Sequence, residues 1–323
     1  MPRFSIVIPI IKTAFLEKAI SSVLKQIFVD WELILYNDCS KENVDILVSR
    51  FNDRRIKYYK GEKNLGANDP SKAWNKALSF ASGEYVCLLG DDDFLAENFL
   101  EEMNNLIGRY PNGNVFRAKL KRVDENGQIF CENDELPEFE DWLSFLYERL
   151  VRKRIQSTSE FVLKKKSLLE IGGYVSFLRA CGSDDATYLL LAKEKGVFST
   201  NKTHAFWRKS LLNISDNDGE NLNKMKLKKL LLWEKEFLDK NFSSKIPVSE
   251  LYFTINNLLL DCGKTTDAKE LFSIKKVSKN FRLFFFVNKF IIFLKKQWYS
   301  FLNCPLRQPA RKLWYWLRGK KLK

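Results

Sequence analysis

Three consecutive aspartates follow directly on a run of apolar residues in this chain. The run, residues 85–89 (YVCLL), has the length and composition of a buried strand, and Gly90 separates it from Asp91, Asp92 and Asp93. Three carboxylates at the end of a buried strand repel one another unless a positive charge lies beside them. Carboxylates together with phosphate oxygens suit Mg²⁺ or Mn²⁺ as ligands. The stretch therefore predicts a metal–phosphate site, and a solvated acidic turn is the alternative.

Strand and helix patterns alternate on both sides of these acids. Short apolar runs predict strands at residues 4–9, 31–36, 56–59, 85–89, 114–123 and 161–163. Apolar residues at helical spacing predict helices at about residues 15–28, 41–52, 71–81, 97–109, 138–152, 167–171 and 184–195. This alternation predicts an α/β fold with a Rossmann-like, doubly wound, mostly parallel sheet, which binds ligands at the carboxyl ends of its strands. From about residue 220 helical patterns dominate, so we expect a catalytic domain at residues 1–215 and a helical extension at residues 216–323.

The net charge of +14 comes from the C-terminal part of the chain. Residues 271–323 contain 14 of the 54 Lys and Arg residues and no acid, so the remaining 40 basic residues balance the 40 acidic ones. A nucleic-acid-binding domain would carry its basic surface on the folded body. The distribution of charge therefore argues against a nucleic-acid partner.

The basic tail, residues 275–323, is also strongly aromatic. A basic residue recurs every seven positions at Lys275, Arg282, Lys289 and Lys296. Such a stripe on an aromatic helix is typical of a segment in the headgroup plane, so we expect the tail to bind an anionic membrane surface. It should not span the membrane, because its apolar run is well short of about 20 residues. A helical cap on the domain and a nucleic-acid-binding arm are the alternatives.

The cysteines and the amino terminus indicate a compartment. The six cysteines form no CxxC pair and no metal-finger spacing, which is typical of free thiols in a reducing environment. A strand pattern begins at Phe4, which leaves no room for a signal peptide. We therefore expect a cytoplasmic protein that is peripheral on the inner face of the cell membrane.

Further short motifs precede and follow the acids in a fixed order. They are residues 5–9 (SIVIP), 21–26 (SSVLKQ), 31–40 (WELILYNDCS), 64–66 (NLG), 73–78 (AWNKAL), 81–85 (ASGEY), 90–94 (GDDDF), 172–174 (GGY) and 183–185 (SDD). In this order and spacing the chain resembles, over roughly residues 3–215, the inverting family 2 glycosyltransferases that build bacterial surface polysaccharides. The resemblance implies the GT-A fold, a nucleotide-diphosphate-sugar donor, and Mn²⁺ or Mg²⁺ as the cofactor.

The resemblance also implies a set of donor-binding residues. Asp38 matches the acid that hydrogen-bonds the nucleotide base, and a carboxylate there can accept the imide N–H of uracil. A helix N-cap is the alternative role for Asp38. Pro9 and Asn64 belong to matching motifs, and Asp91 is expected either to face the ribose or to compensate for the family's missing first acid. The family's basic residue before Asn75 is replaced by Trp74, so the resemblance leaves one phosphate contact to be supplied elsewhere, and Lys72 is the expected substitute.

Metal ligands follow from the same comparison. Asp92 matches the acid that contacts the metal most directly, and Asp93 stands next to it. Gly90 occupies the position of the family's first acid. A late histidine of the family is also missing, since Ser210 stands there. His204 is the remaining candidate ligand, although a lone histidine is more often structural.

The two acids that open the last predicted helix are candidates for catalysis. Asp185 matches the general base of inverting members, which takes the proton of the acceptor hydroxyl, and Asp184 is the fallback. The alternative is that both acids only interact favourably with the helix macrodipole.

Together these features predict an inverting, metal-dependent glycosyltransferase. It would transfer a sugar from a nucleotide-diphosphate sugar, with UDP as the favoured nucleotide, to a glycan or lipid-linked oligosaccharide. A nucleotidyltransferase is a rival, but it usually needs a Gly-rich basic phosphate loop, and residues 9–12 (PIIK) make a poor one. A catalytically inactive homologue that binds membrane or polysaccharide also stays open, because one acid and the late histidine are missing.

Overall fold

The structure, a computed structural model, describes residues 1–150, 154–213, 220–241 and 255. All described residues up to Asn241 belong to one compact unit at residues 1–244. The predicted membrane-binding tail and most of the predicted helical extension lie outside the described residues. Among those described, no helix combines the length and the apolar composition needed to cross a membrane.

The centre of the unit is a sheet with ten described strands. They are β1 (Phe4–Ile10), β2 (Trp31–Asn37), β3 (Ile56–Lys60), β4 (Tyr85–Leu88), β5 (Phe94–Leu95), β6 (Val115–Val123), β7 (Ile129–Glu132), β8 (Phe139–Glu140), β9 (Phe161–Lys164) and β10 (Val197–Arg208). Their order is β3-β2-β1-β4-β9-β6-β10-β5, with β7 beside β6 and β8 beside β10. The long strands β1, β2 and β3, together with β4, pair in parallel, as do β6 and β10, whereas β9 and the short strands pair antiparallel.

Helices connect these strands. The described α-helices are α1 (Leu16–Leu24), α2 (Val44–Val48), α3 (Pro70–Leu78), α4 (Phe99–Arg109), α5 (Trp142–Leu150), α6 (Lys165–Glu170), α7 (Ser183–Ala192) and α8 (Glu220–Asn241), and 3-10 helices lie at Thr158–Glu160 and Leu178–Ala180. α3 illustrates the local causes: Asp69 caps it by accepting the N–H of Ser71 at 3.1 Å, and Pro70 occupies its first turn.

The central strands are apolar on both faces, as a sheet covered on both sides requires. Ile6 and Val7 on β1, and Leu33 and Ile34 on β2, are neighbours that point to opposite faces, and all four are buried. The predicted α/β fold with its mostly parallel sheet is therefore observed. β10 was not predicted, because residues 199–204 (STNKTH) lack an apolar pattern and the strand contains a register shift between Thr200 and His204. Long-range pairing with β6 makes this segment a strand.

The last described helix belongs to the same compact unit. On α8, Trp233 lies edge-on to Phe177, and Phe237 lies edge-on to Trp142. The unit therefore continues past residue 215, where the sequence places the domain boundary. The extent of the helical extension beyond it stays a prediction.

A buried ion pair supports the 3-10 helix at Thr158–Glu160. Arg117 on β6 donates from Nε to Glu160 Oε1 at 2.7 Å, and both side chains are completely buried. Glu160 also accepts the N–H of Ser157, and the Ser157 hydroxyl accepts the N–H of Ser159. These contacts fix the segment that borders the three acids.

We expect Arg117→Met to lower the free energy of unfolding by about 3–5 kcal/mol, because it leaves the Glu160 carboxyl buried without its cation. Urea titration at pH 8 measures this change. At pH 5 the loss should be smaller, since burial raises the pKa of Glu160 to about 7 and the carboxyl can then hold a proton. Lys60→Met, which breaks the exposed pair with Asp45, is the control and should leave the urea midpoint unchanged. Equal midpoints for the two variants would contradict this role of the buried pair.

Candidate functional site

A pocket of about 590 Å³ lies at the carboxyl ends of β1, β2 and β4. The sheet register places these ends side by side, since Pro9 pairs with Tyr36 and Val7 pairs with Leu88. Acids from distant segments meet here, as expected at the carboxyl edge of such a sheet. The predicted site residues that line the pocket are Pro9, Asp38, Asn64, Asp91, Asp92, Asp93 and Asp184.

Asp91 and Asp92 have different surroundings. Asp91 is buried, and its Oδ2 accepts the backbone N–H groups of Ile11 and Lys12, both at 2.9 Å. It thereby fixes the loop after β1. Asp92 is partly exposed, with Lys12 Nζ at 3.8 Å and Asn213 Nδ2 at 3.3 Å from its Oδ2. Of the three acids, Asp92 offers its carboxylate most directly to a ligand.

Asp93 is the most enclosed of the three, with 2% of its surface exposed. Its Oδ2 accepts the hydroxyls of Ser159 at 2.5 Å and Ser157 at 3.3 Å, and its Oδ1 accepts the N–H of Arg208 at 2.9 Å. Burial, and next the charge of Asp92, raise the pKa of Asp93 to about 8. Asp93 therefore attaches the acidic turn to β10 and to the 3-10 helix.

We expect the Tm of the protein to fall as the pH rises from about 4 to about 8. The folded state retains a proton on Asp93 that the unfolded state releases near pH 4, so raising the pH favours unfolding. Asp93→Asn keeps the shape, with a carbonyl to accept the Arg208 N–H and an amide to face the serine hydroxyls. Its Tm should therefore decline less between pH 5 and pH 8.5. A decline as steep as that of the wild type would contradict the raised pKa.

Asp38 organises the loop after β3. It is 3% exposed and accepts the N–H of Leu65 on Oδ1 at 2.9 Å and the N–H of Gly66 on Oδ2 at 2.7 Å. A Cβ at Gly66 would lie 3.0 Å from Asp38 Oδ2, so the close approach favours glycine. Each carboxylate oxygen retains acceptor capacity for a ligand N–H. The alternative role of a helix cap falls to Asn43, which caps α2.

The residue after the glycine pair, Tyr174, is bound to α3, the helix whose Trp74 lines the pocket. Asn75 donates to the Tyr174 carbonyl and accepts the Tyr174 N–H, each at 2.8 Å. Gly173 has a φ of +90°, and a Cβ there would lie 2.4 Å from Asn75 Oδ1, so only glycine fits. Trp74 lines the pocket while it packs edge-on against the Tyr174 ring.

The two acids at the start of α7 differ in orientation. Arg149 binds Asp185 in a bidentate ion pair, with Nε to Oδ1 at 2.7 Å and Nη2 to Oδ2 at 3.0 Å, and Gln156 donates to Oδ1 at 2.8 Å. Asp184, not Asp185, lines the pocket. Burial, and next the charge of Asp185, raise the pKa of Asp184 to about 6. The geometry thus favours the fallback base over Asp185, which the resemblance favoured.

Lys72 does not reach the pocket. Its side chain is exposed, because α3 buries the face that carries Ala73 and Ala77 and turns Lys72 and Lys76, four residues apart, toward solvent. The structure therefore places Lys72 outside the pocket, and the phosphate contact expected of it stays a prediction.

His204 also lies away from the acids. It stands on β10 opposite Lys119 of β6 and does not line the pocket. Burial, and next the charges of Lys121 and Lys119, lower the pKa of His204, so it is neutral at pH 7. Within the described ranges, no three His, Cys, Asp or Glu side chains form a metal-binding group. The structure therefore places His204 outside the pocket, and its role as a metal ligand stays a prediction. The contact that β10 makes with the acidic turn is the Arg208 N–H to Asp93.

Sequence reasoning missed several residues of the pocket wall. These are Lys12, Gln156, Ser157, Arg179, Asn213 and Lys226. One local signal was present: residues 157–160 (STSE) have the spacing of a capping box, which the structure forms. The other residues come from loops, from the 3-10 helix at Leu178–Ala180 and from α8, and only the tertiary fold brings them to the acids.

A comparison with known families decides what kind of protein has this site. The family described as "Glycosyl transferase family 2" matches residues 5–172, just over half of the chain. The chain belongs to glycosyl transferase family 2. The matched residues include the Asp38 loop and all three acids of the turn, while Asp184 and Asp185 lie beyond them.

Curated relatives of this family 2 chain are bacterial glycosyltransferases. The chain is 42% identical over 83 residues to the UDP-Glc:alpha-D-GlcNAc-diphosphoundecaprenol beta-1,3-glucosyltransferase WfgD of Escherichia coli, which is 26% of this chain and 32% of WfgD. It is 35% identical over 106 residues to a GalNAc(5)-diNAcBac-PP-undecaprenol beta-1,3-glucosyltransferase of Campylobacter jejuni, which is 32% of this chain and 34% of that one. The matches thus span about a third of each relative. With the family match, they confirm the predicted enzyme class.

A solved structure confirms the predicted fold. S. aureus TarS (residues 1–349), crystallised in complex with UDP-GlcNAc, superposes with a TM-score of 0.62 and 16% sequence identity. The superposition covers 85% of this family 2 chain and 76% of that structure. The chain therefore has the GT-A fold.

Proposed function

We propose that this family 2 glycosyltransferase transfers a sugar, with inversion, from a nucleotide-diphosphate sugar to a glycan or lipid-linked oligosaccharide in bacterial surface polysaccharide synthesis. One observation carries the proposal. Three separate carboxylates line the same pocket, those of Asp38, Asp92 and Asp184. Asp38 can accept a base N–H, Asp92 belongs to the acidic turn, and Asp184 lies apart from both. These are the three groups that donor binding, metal binding and deprotonation of an acceptor require.

The donor is a UDP-sugar in this proposal. Asp38 accepts the imide N–H of uracil beside the loop that carries Asn64, and Pro9 borders the same pocket. Asp91 uses Oδ2 for the backbone, so its Oδ1 is the oxygen available to a ribose hydroxyl. The name of WfgD and the ligand of the TarS structure both contain UDP, which supports this choice.

The acidic turn fits Mn²⁺ or Mg²⁺ completed by phosphate oxygens. These ions commonly bind one or two protein carboxylates and the phosphates of a substrate. Asp92 would hold the ion with its pocket-facing carboxylate, and Asp93 lies beside it. Burial raises the pKa of all three acids, which disfavours their charged forms, and a divalent cation bound beside them would favour those charged forms. When bound, the ion stabilises charge on the departing nucleoside diphosphate.

Asp184 is the general base in this proposal. Its pKa of about 6 lies close to neutral pH, where a base is both deprotonated and strong enough to accept a proton. Asp185 lies beside it, and Arg149 binds both of its oxygens. The acceptor hydroxyl gives its proton to Asp184 as its oxygen attacks the anomeric carbon opposite the diphosphate.

The acceptor in this proposal is linked to a lipid. Both named relatives act on acceptors that contain undecaprenol. The basic aromatic tail at residues 275–323 adds a predicted means of binding the anionic inner face of the membrane. Peripheral attachment on the cytoplasmic side stays a prediction, since that tail lies outside the described residues.

A thermal-shift panel tests the donor. The protein is melted with UDP, GDP, ADP or dTDP, each with Mn²⁺ and with EDTA. A ligand that binds the folded state raises the Tm, so UDP should raise it most, and Mn²⁺ should enlarge the effect. A panel in which none of the four nucleotides shifts the Tm would contradict the proposed function.

A further inference from the structure

We propose that Arg179 binds the diphosphate of the sugar-nucleotide donor. This inference rests on the proposed function and deepens it. The pocket has acids on several walls, and these repel a diphosphate unless cations are also present. Lys12, Arg179 and Lys226 are the cations that line it among the described residues. The guanidinium of Arg179 is the planar group that binds phosphate oxygens through paired N–H donors.

Contacts of Arg179 place it at the nucleotide loop. Its Nη1 donates to the Ala67 carbonyl at 3.0 Å, and its backbone N–H donates to the Asn68 carbonyl at 2.8 Å. Ala67 follows Gly66, whose N–H is bound by Asp38. The guanidinium therefore lies beside the loop that receives the base.

The same segment leads to the proposed base. Arg179 belongs to the 3-10 helix at Leu178–Ala180, and Asp184 follows five residues later in α7. Both residues line the pocket. A donor that places its base at Asp38 and its anomeric carbon near Asp184 has its diphosphate between these two carboxylates. Arg179 contacts the loop beside Asp38 and lies five residues before Asp184 in the chain, so it belongs to the region between the two carboxylates.

The other pocket cations are placed differently. Lys12 Nζ lies 3.8 Å from Asp92 and also donates to the Leu212 carbonyl, so its charge already offsets the acidic turn. Lys226 is on α8, whose Leu230 packs against Gly182 on the side of Asp184. Arg179 is the cation that contacts the nucleotide loop.

The backbone at Arg179 is strained, which is a second and independent observation. Arg179 has a φ of 59° and Ala180 a φ of 52°, in the left-handed region that side chains disfavour. Such strain persists where surrounding contacts enforce it, and it clusters at functional sites. Glycine would adopt this conformation without cost. An arginine here indicates that the position uses its side chain.

Three variants and one control test the proposal on the full-length protein. Titration calorimetry measures the Kd of UDP, and ligand-observed NMR measures the Kd of uridine, which has no phosphate. Arg179→Gln should raise the Kd of UDP about 10- to 100-fold, as loss of charged hydrogen bonds to phosphate predicts, and should change the Kd of uridine less than about twofold. Arg179→Lys should give an intermediate Kd for UDP.

A variant that removes strain separates ligand binding from folding. Arg179→Gly should bind UDP as weakly as Arg179→Gln while its Tm stays within about 3 °C of the wild type, because glycine accepts the positive φ. Lys193→Gln removes an exposed cation at the C-cap of α7, directly after Ala192, and should leave the Kd of UDP unchanged.

Two results would overturn the inference. One is a Kd of UDP for Arg179→Gln equal to that of the wild type, and the other is an equal loss of affinity for UDP and uridine. An unchanged Kd of UDP with a raised acceptor KM would assign Arg179 to the acceptor, which also overturns it. If the wild type itself does not bind UDP, the proposed donor fails first, so the two failures are distinguishable.

Discussion

Asp92→Ala should lower the rate of sugar transfer by about a thousandfold, the scale of several kcal/mol of lost metal-ion stabilisation. Asp92 is the partly exposed acid of the turn, whereas Asp91 and Asp93 are buried and accept protein N–H or O–H groups on Oδ2 of Asp91 and on both oxygens of Asp93. Transfer assays with Mn²⁺ measure the loss. Asp134→Ala, an exposed acid outside the pocket, is the control and should retain full activity.

Nucleotide binding separates metal binding from other roles of Asp92. In the wild type, Mn²⁺ should tighten the binding of UDP, and in Asp92→Ala it should have no effect. In EDTA the variant should bind UDP at least as tightly as the wild type, because it carries one negative charge fewer and leaves Lys12 without its acidic partner. A variant that still responds to Mn²⁺ would contradict the assignment of Asp92 as the ligand.

Asp184→Asn should lower kcat by about 10²- to 10⁴-fold, the usual contribution of a general base, and leave the Kd of UDP within about twofold of the wild type. The physical reason is the place of Asp184 in the pocket wall, which Asp185 does not line. Asp185→Asn is the matched comparison. It weakens the ion pair with Arg149, so we expect a lower Tm and a smaller loss of kcat.

The pH profile gives a second readout for Asp184. A base must be deprotonated, so kcat/KM of the wild type should rise with pH up to about pH 6, the raised pKa of Asp184, and then level off. The residual activity of Asp184→Asn should lack this rise. If Asp185→Asn abolishes turnover at an unchanged Tm while Asp184→Asn stays active, the base is Asp185, as the resemblance first implied.

The fold was predictable because its signals are local. β1 and β2 are short, continuous apolar runs, and α1 and α4 repeat apolar residues at helical spacing. Each of these local patterns predicts its own strand or helix. β10 does not, because residues 199–204 (STNKTH) are mostly polar and only pairing with β6 extends them. Two-residue strands such as β5 and β8 have no pattern of their own.

The candidate site was predictable where a strand end fixes a residue in space. Asp38 and the acids after β4 follow buried strands, and adjacent strands bring them together. The choice between Asp184 and Asp185 could not be predicted from the sequence. Neighbours on a helix point in directions about 100° apart, and the residue that binds Asp185, Arg149, lies 36 residues earlier in the chain. Arg179 was missed because its contact with the nucleotide loop, at Ala67, joins residues that are 112 positions apart in the chain.

Release of nucleoside diphosphate from a UDP-sugar tests the central claim most directly. Purified full-length protein is incubated with UDP-glucose or UDP-GlcNAc in Mn²⁺ or in EDTA, and free UDP is measured over time. We predict release in Mn²⁺ that stops in EDTA, returns when Mn²⁺ is restored, and disappears in Asp92→Ala. Binding of UDP without release from either sugar nucleotide, or release that EDTA leaves unchanged, would contradict a metal-dependent transferase and favour an inactive homologue or a metal-independent one.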